Sequence, residues 1–167
     1  LNSLGHEEAG PLGMMTLGLL IEEVIAPQRS FGIELEVIPQ GAGDEPRLRR
    51  NPAILYGLGN LVENAVDFAR SRVAIEAMWD EQRVLIRITD DGSGFSPEVL
   101  ERLGEPYVTT RIGSRRTKGE EESGLGLGLF IAKTLLERSG ATLAFSNVIP
   151  SGKGARVSIS WPKDVFM

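Results

Sequence analysis

The sequence contains no cysteine and a single histidine among its 167 residues. The absence of cysteine excludes disulfide frameworks, thiolate zinc sites and thiol catalysis, and one histidine excludes a multi-histidine metal site. Acidic residues outnumber basic residues by 23 to 18, so the net charge of −5 provides no global positive field for a nucleic-acid backbone. No apolar run reaches the ~20 residues of a membrane-spanning helix, because the longest candidate, residues 14–26, is interrupted by Gly18, Glu22 and Glu23.

The composition that remains is that of one soluble globular domain, with 41% hydrophobic and 25% charged residues. Residues 1–13 carry three glycines and one proline without hydrophobic periodicity, which predicts a linker leading into a domain over residues 14–167. Because the chain begins with Leu1 and this linker, we expect the domain to come from a longer protein. We expect it to be cytoplasmic.

Apolar residues at helical spacing predict four helices, and alternating apolar residues predict five strands. The helices are expected at residues 15–26, 52–70, 97–103 and 125–139, and the strands at residues 33–37, 73–79, 84–88, 143–148 and 155–161. Every strand alternates rather than being apolar throughout, so the sheet should be covered on one face only and be mostly antiparallel. The sequence therefore predicts an α/β fold, a two-layer α/β sandwich with helices on one face of a mixed sheet.

A glycine-rich segment follows the strand at 84–88: Asp90-Asp91-Gly92-Ser93-Gly94. The alternation of the strand places Asp90 on its apolar face, where a carboxylate needs hydrogen-bond donors. The exocyclic amine of a purine is such a donor, and Gly92 and Gly94 would let a flat ring approach the backbone. A simple Asp-Gly turn is the alternative interpretation.

A glycine repeat opens the helix predicted after the charged residues 104–123: Gly124-Leu125-Gly126-Leu127-Gly128. Free backbone N–H groups and the positive dipole end at a helix N-terminus favour phosphate binding. The dinucleotide-binding pattern is absent because it needs glycine at Leu129, and no Gly-Lys pair is followed by Ser or Thr as in a Walker A loop. Tight helix packing is the alternative explanation of the repeat.

Four polar residues share one face of the helix predicted at 52–70: Asn60, Glu63, Asn64 and Asp67. Amide and carboxylate oxygens suit Mg²⁺, which proteins commonly hold together with phosphate oxygens. A solvated helix face is the alternative, but two asparagines in the middle of a helix are poor helix formers. The three segments together therefore predict one site for adenine, metal and phosphates.

These residues resemble the ATP-binding catalytic domain of sensor histidine kinases, in the GHKL/HATPase superfamily with its Bergerat-type ATP-binding fold. The resemblance covers residues 17–162 and includes an N box at Asn60-Leu61-Val62-Glu63-Asn64-Ala65 and glycine boxes at residues 90–94 and 124–128. The segment Glu105-Pro106-Tyr107-Val108-Thr109-Thr110-Arg111 resembles the F box that leads into an ATP lid, expected here at residues 105–123. Within the family, the sequence is similar to redox-responsive RegB/PrrB-type kinases.

The resemblance implies a role for each matching residue. Asn60 and Asn64 would be catalytic, with Asn64 as the Mg²⁺ ligand, and Asp90 would bind the adenine amine. The remaining ATP-binding residues would be Asp67, Gly92, Gly94, Tyr107, Thr110, Arg111, Gly124, Leu125, Gly126, Leu127 and Gly128. Two positions depart from the family pattern: Asp67 replaces a phosphate-contacting lysine, which leaves Arg111 or Lys118 as the cationic partner, and Ala155 replaces a threonine.

The implied function is a protein histidine kinase that binds ATP and Mg²⁺ and donates the γ-phosphoryl group to a histidine on a separate dimerisation domain of the same parent protein. A response regulator would be an indirect partner, and neither nucleic acid nor direct membrane contact is expected. A superfamily ATPase, an anti-sigma serine kinase and a non-enzymatic binding module are the alternatives. An amide at Asn60, where the ATPases carry a water-activating glutamate, favours the kinase because an amide cannot accept a proton from water.

The lone histidine matches the outline of a phosphoacceptor box, His6-Glu7-Glu8-Ala9-Gly10-Pro11-Leu12. A phosphoacceptor domain is a long two-helix hairpin, and the ~20 residues before the first predicted strand allow one helix of ~30 Å at most. We therefore interpret His6 as an exposed linker residue.

Overall fold

The computed structural model of the protein describes residues 13–103, 120–148 and 153–167. The helices are α1 (Leu17–Ile25), α2 (Pro52–Phe68), α3 (Pro97–Leu103), α4 (Glu120–Arg138) and α5 (Lys163–Phe166), with a 3-10 turn at Ala26–Gln28. The strands are β1 (Met14–Thr16), β2 (Glu34–Gly41), β3 (Arg47–Arg49), β4 (Arg72–Trp79), β5 (Arg83–Asp90), β6 (Thr142–Asn147) and β7 (Ala155–Pro162).

The main sheet has five strands in the order β2-β4-β5-β7-β6. Strands β2 and β4 pair in parallel, and every other neighbouring pair is antiparallel. Strands β4 and β5 form one antiparallel hairpin, and β6 and β7 form another. The prediction of a mixed, mostly antiparallel sheet is therefore confirmed.

The sheet buries one face under the helices. Alternate residues of β4, β5 and β7 are buried: Val73, Ile75, Ala77, Val84, Ile86, Ile88, Ala155, Val157, Ile159 and Trp161. Their neighbours along each strand are half-buried, and one of them, Arg87, pairs with Glu76 across the open face at 2.8 Å. This alternation confirms the predicted two-layer sandwich.

Helix α2 begins as the sequence predicts. Asn51 has an extended backbone and accepts a hydrogen bond from the Ala53 N–H at 2.9 Å, while Pro52 occupies the first helical position. The buried side of α2 packs on β4, β5 and α4, with Leu58, Leu61, Val62 and Ala65 in the core. The polar stripe of α2 consequently faces away from the sheet.

Helix α4 differs from the prediction in its start and in its buried face. It begins at Glu120 rather than Leu125, because consecutive glutamates are good helix formers. Its buried side carries Leu129, Ala132 and Leu136. Helical spacing predicts that Ile131 shares a buried apolar face with Phe130, but Ile131 is 40% exposed. Gly57 of α2 explains this orientation, since a Cβ there would lie 2.7 Å from Leu136 Cγ.

A small two-stranded sheet, formed by β1 and β3 on either side of α1 in the chain, was not predicted. Strand β1 pairs antiparallel with β3, so Met15, expected in the first helix, lies in a strand. Strands of three residues are too short to show alternation. None of the helices in the described part of the chain is long and apolar enough to cross a bilayer.

Candidate functional site

A cavity of about 290 Å³ opens between α2 and α4. Its described lining combines the polar face of α2 with one turn of α4: Tyr56, Asn60, Glu63, Asn64, Asp67, Gly128, Leu129 and Ile131. A Cβ at Gly128 would meet no atom within 4 Å, so packing against the described residues does not require glycine at this position. The structure thus brings together two of the three segments that the sequence singles out.

The four polar residues of α2 all face this cavity. Asn60 and Asn64 are half-buried, and Glu63 and Asp67 are exposed. In the described residues, no group of three or more histidine, cysteine, aspartate or glutamate side chains is placed to hold a metal ion. The oxygen donors of this face fit Mg²⁺ when phosphate oxygens complete its coordination, as Mg²⁺ usually requires.

Asp90 is the last residue of β5. Among the residues that the structure describes, it is the only polar or charged residue that is buried, with 5% of its surface exposed. Its Oδ1 accepts hydrogen bonds from the Gly92 N–H at 2.8 Å and the Ala155 N–H at 3.3 Å. Burial raises the pKa of Asp90 above its ordinary value, although both backbone donors oppose the shift. The predicted burial of this carboxylate is confirmed, and two of its donors come from the protein.

Asp91 has the opposite environment. Partial desolvation acts to raise its pKa, but hydrogen bonds from Ser71, Arg72 and Arg70 outweigh it and hold the pKa far below the usual range. The shortest of these bonds, from the Arg70 N–H and the Ser71 hydroxyl, are both 2.7 Å long. Asp91 thus fastens the end of β5 to the backbone between α2 and β4.

Close packing within the protein explains the glycines around Asp90. A Cβ at Gly92 would lie 2.0 Å from the Phe68 carbonyl oxygen at the end of α2, and a Cβ at Gly154 would lie 2.4 Å from the Asp90 carbonyl oxygen. Gly94 has a φ of 91°, a left-handed conformation that favours glycine. The sequence explained Gly92 by the approach of a ligand ring, whereas in the structure this glycine admits the last carbonyl of α2.

A residue that sequence reasoning missed holds the far end of this loop. Asn147, the last residue of β6, accepts a hydrogen bond from the Phe95 N–H at 2.7 Å and donates one to the Phe95 carbonyl at 3.0 Å. The two residues are 52 positions apart. The only local signal was a polar side chain at a strand end, which does not identify such a distant partner.

The glycine repeat lies inside α4 rather than at its first turn. Because α4 begins at Glu120, the amides without an intrahelical acceptor belong to residues 120–123 and not to the repeat. The repeat therefore does not open the helix, as the sequence predicts it would. Gly128, with Leu127 before it on the same helix, is instead part of the helix that borders the cavity.

Several predicted residues lie outside the part of the chain that the structure describes. They are Tyr107, Thr110, Arg111 and Lys118 of the expected lid, together with His6 of the expected linker. Residues 120–123, assigned to the lid from the sequence, form the first turn of α4. Ala155 contributes its backbone N–H to Asp90 and has no hydroxyl to offer a ligand.

Comparison with known proteins places this geometry in context. The model of the family of histidine kinase-, DNA gyrase B-, and HSP90-like ATPases matches residues 51–165. The sensor histidine kinase RegB of Cereibacter sphaeroides is 42% identical in an alignment of 182 positions that covers 98% of this chain and 39% of that protein. Sporulation kinase B of Bacillus subtilis is 28% identical, over 84% of this chain and 30% of that protein. The chain therefore spans less than half of the length of either relative.

Solved structures share the fold. The histidine kinase domain of the E. coli osmosensor EnvZ superposes with a TM-score of 0.64 at 23% identity, over 92% of this chain and 89% of that one. The mycobacterial sensor histidine kinase MprB gives a TM-score of 0.61 at 20% identity, over 89% of this chain and 95% of that one. The cavity between α2 and α4 thus lies in a fold shared with these kinases.

Proposed function

Because the chain belongs to the family of histidine kinase-, DNA gyrase B-, and HSP90-like ATPases, we propose that it is the ATP-binding catalytic domain of a two-component sensor histidine kinase. It binds Mg-ATP and donates the γ-phosphoryl group to a histidine on a separate dimerisation domain of its parent protein. The observation that carries this proposal is the cavity of about 290 Å³ that joins the polar face of α2 to Gly128 of α4.

In this proposal, Asp90 binds the exocyclic amine of adenine. Both of its protein donors bind Oδ1, so Oδ2 has no hydrogen-bond partner in the described residues. Oδ2 can therefore accept a hydrogen bond from a ligand, and the adenine amine is a donor of the right kind. Gly92 and Gly94 hold the backbone beside the ring.

The polar face of α2 would hold the phosphates and a Mg²⁺ ion. Asn64 would supply the protein ligand to the ion, and Asn60 would support it from one helical turn earlier. The bound ion would offset charge on the phosphate oxygens. Asp67 is itself acidic, so Arg111 or Lys118 would make the cationic contact to the phosphates. We also propose that Tyr107, Thr110 and residues 124–128 bind ATP, as the resemblance to the family implies.

The reaction is a phosphoryl transfer in which positioning does most of the work. The bond between the β–γ bridging oxygen and the γ-phosphorus breaks, a bond from an imidazole nitrogen to that phosphorus forms, and ADP leaves. Asn60 offers no carboxylate to activate water, which favours transfer to histidine over hydrolysis. The response regulator then receives the phosphoryl group from the histidine domain. Residues 105–123 act as a lid over the nucleotide, and the last four of them belong to α4.

Isothermal titration with ATP and with ADP, each in magnesium and in EDTA, tests the binding part of the proposal. We expect 1:1 binding of both nucleotides and tighter binding of ATP in magnesium. The absence of heat and of any shift in melting temperature at millimolar Mg-ATP would contradict it, and would favour a non-enzymatic binding module.

A further inference from the structure

The segment from Asp90 to Phe95 is attached to the rest of the protein at both ends. At its start, Asp90 continues β5 and Asp91 binds the backbone of residues 70–72. At its end, the Asn147 amide makes two hydrogen bonds to the backbone of Phe95. Only Gly92, Ser93 and Gly94 lie between these attachments, so the conformation of the segment depends on both.

The attachment at Phe95 is made by side chains that pack as well as bond. Phe95 is buried, with 8% of its surface exposed, and its ring meets the Phe145 ring edge-on at a centroid distance of 6.0 Å. Phe145 and Asn147 both belong to β6, so one strand supplies the ring contact and the amide. Gly94 completes the fit, since a Cβ there would lie 2.9 Å from Asn147 Oδ1.

The position of this segment controls how the Asp90 carboxylate is oriented. The Gly92 N–H binds Asp90 Oδ1 at 2.8 Å, which is the shorter of the two bonds made to that oxygen. The bond directs Oδ1 toward the loop and leaves Oδ2 for a ligand donor. If the far end of the loop is released, Gly92 is held through Asp91 alone, and its hydrogen bond to Asp90 constrains the orientation of the carboxylate less.

We propose that Asn147 is a positioning residue for purine specificity: by fixing Phe95 it holds Gly92 against Asp90 and so directs the carboxylate at the 6-amino group of the purine. This inference rests on the proposed function, in which Asp90 binds adenine. It predicts an effect confined to nucleotides that carry the amine, which a residue needed only for folding would not produce.

The test compares ATP with inosine triphosphate, which has a carbonyl oxygen in place of the 6-amino group. Parent protein should bind ATP more tightly, because a carboxylate facing a carbonyl leaves both groups without a donor. In Asn147→Ala, ATP affinity should fall about tenfold, as expected for the loss of one or two hydrogen bonds, while inosine triphosphate affinity changes less than about twofold. The ratio of the two dissociation constants therefore falls about tenfold.

Two further variants keep the test decisive. Asn147→Asp retains an oxygen for the Phe95 N–H but loses the donor to the Phe95 carbonyl, so its ratio should fall about threefold and serves if the alanine variant fails to fold. Ser146→Ala changes the exposed neighbouring residue of β6 and should leave the ratio unchanged. Circular dichroism and melting curves establish that each variant is folded.

The ratios of the dissociation constants decide the inference. A ratio that falls in Asn147→Ala and Asn147→Asp but not in Ser146→Ala supports it. Equal weakening of ATP and inosine triphosphate, or no change of either, overturns it. Asp90→Asn, measured in parallel, separates the two proposals: if its ratio falls while that of Asn147→Ala does not, the positioning role fails and adenine recognition by Asp90 stands. If the Asp90→Asn ratio equals that of the parent, both fail.

Discussion

The loop at the end of β5 and the polar face of α2 meet a ligand in different ways. In residues 90–95, the carboxylates accept hydrogen bonds from the protein backbone, and Asn147 binds Phe95. On α2, the side chains of Asn60 and Asn64 face an open cavity instead. The loop is therefore held by contacts within the protein, whereas in our proposal the nucleotide and its metal ion would complete the α2 face. Substitutions in the loop should therefore change both ligand affinity and protein stability, whereas substitutions on the α2 face should change mainly ligand affinity.

Asp90→Asn should give the largest change in binding. The amide keeps an oxygen for the Gly92 and Ala155 donors but can present N–H₂ toward the adenine amine, which lowers ATP affinity by about 10- to 100-fold. Titration of the folded variant with Mg-ATP checks this. ATP affinity equal to that of the parent would show that Asp90 does not bind adenine, and the loop would then have a structural role alone.

The same variant should be at least as stable as the parent at neutral pH. Because burial raises the pKa of Asp90, the folded protein favours the protonated acid, and ionisation costs stability as pH rises through that raised pKa. The stability of the parent should therefore increase relative to that of Asp90→Asn as the pH falls toward 3.8, the ordinary pKa of aspartate. Melting curves from pH 7 to 4 check this, and a difference that does not change with pH would contradict it.

Asp91→Ala should lower stability by about 1.5–3 kcal/mol, because backbone N–H groups in residues 70–72 lose a charged acceptor. Asp91→Asn is the matched control, since it keeps an acceptor oxygen and should lose less. The lowered pKa means that this contribution is present above pH 3.8 and disappears as the carboxylate is protonated at lower pH. Urea unfolding at pH 7 measures both variants, and equal stability of Asp91→Ala and parent would show that the loop is not held by Asp91.

Asn64→Ala should have the smallest effect on stability and a moderate effect on binding. Its side chain faces the cavity, so we expect unchanged melting temperature, about tenfold weaker ATP binding in magnesium, and little change in EDTA. Asn64→Asp, which keeps an oxygen ligand, should restore most of the affinity in magnesium. Equal losses of affinity in magnesium and in EDTA would indicate that Asn64 supports the helix and not a metal ion.

The two layers of the fold could be predicted from the sequence because the alternation of apolar residues in strands and their spacing in helices indicate which face each element buries. Strands β4 and β5, the Asn51 cap of α2 and the burial of Asp90 all follow from local pattern. The resemblance to sensor histidine kinases, carried by residues 60–65 and 90–94, agrees with the family match over residues 51–165.

What the sequence did not predict depends on contacts between distant segments. The face that α4 buries depends on the close approach of Leu136 to Gly57 on another helix, and the partner of Asn147 lies 52 residues away. Local pattern also suggested a ligand for Gly92, whose tight neighbour in the structure is the Phe68 carbonyl oxygen. Glycine signals close approach but does not identify what approaches.

The central claim is that this chain supplies the nucleotide site and a second domain supplies the histidine. The direct measurement is incubation with ATP labelled on the γ-phosphate, alone and with a dimeric domain that carries the acceptor histidine. We predict acid-labile label on the added domain, none on this chain, and very slow release of phosphate when the chain is alone, because no acceptor is delivered in line. Label on His6, or steady phosphate release by the chain alone, would contradict the account.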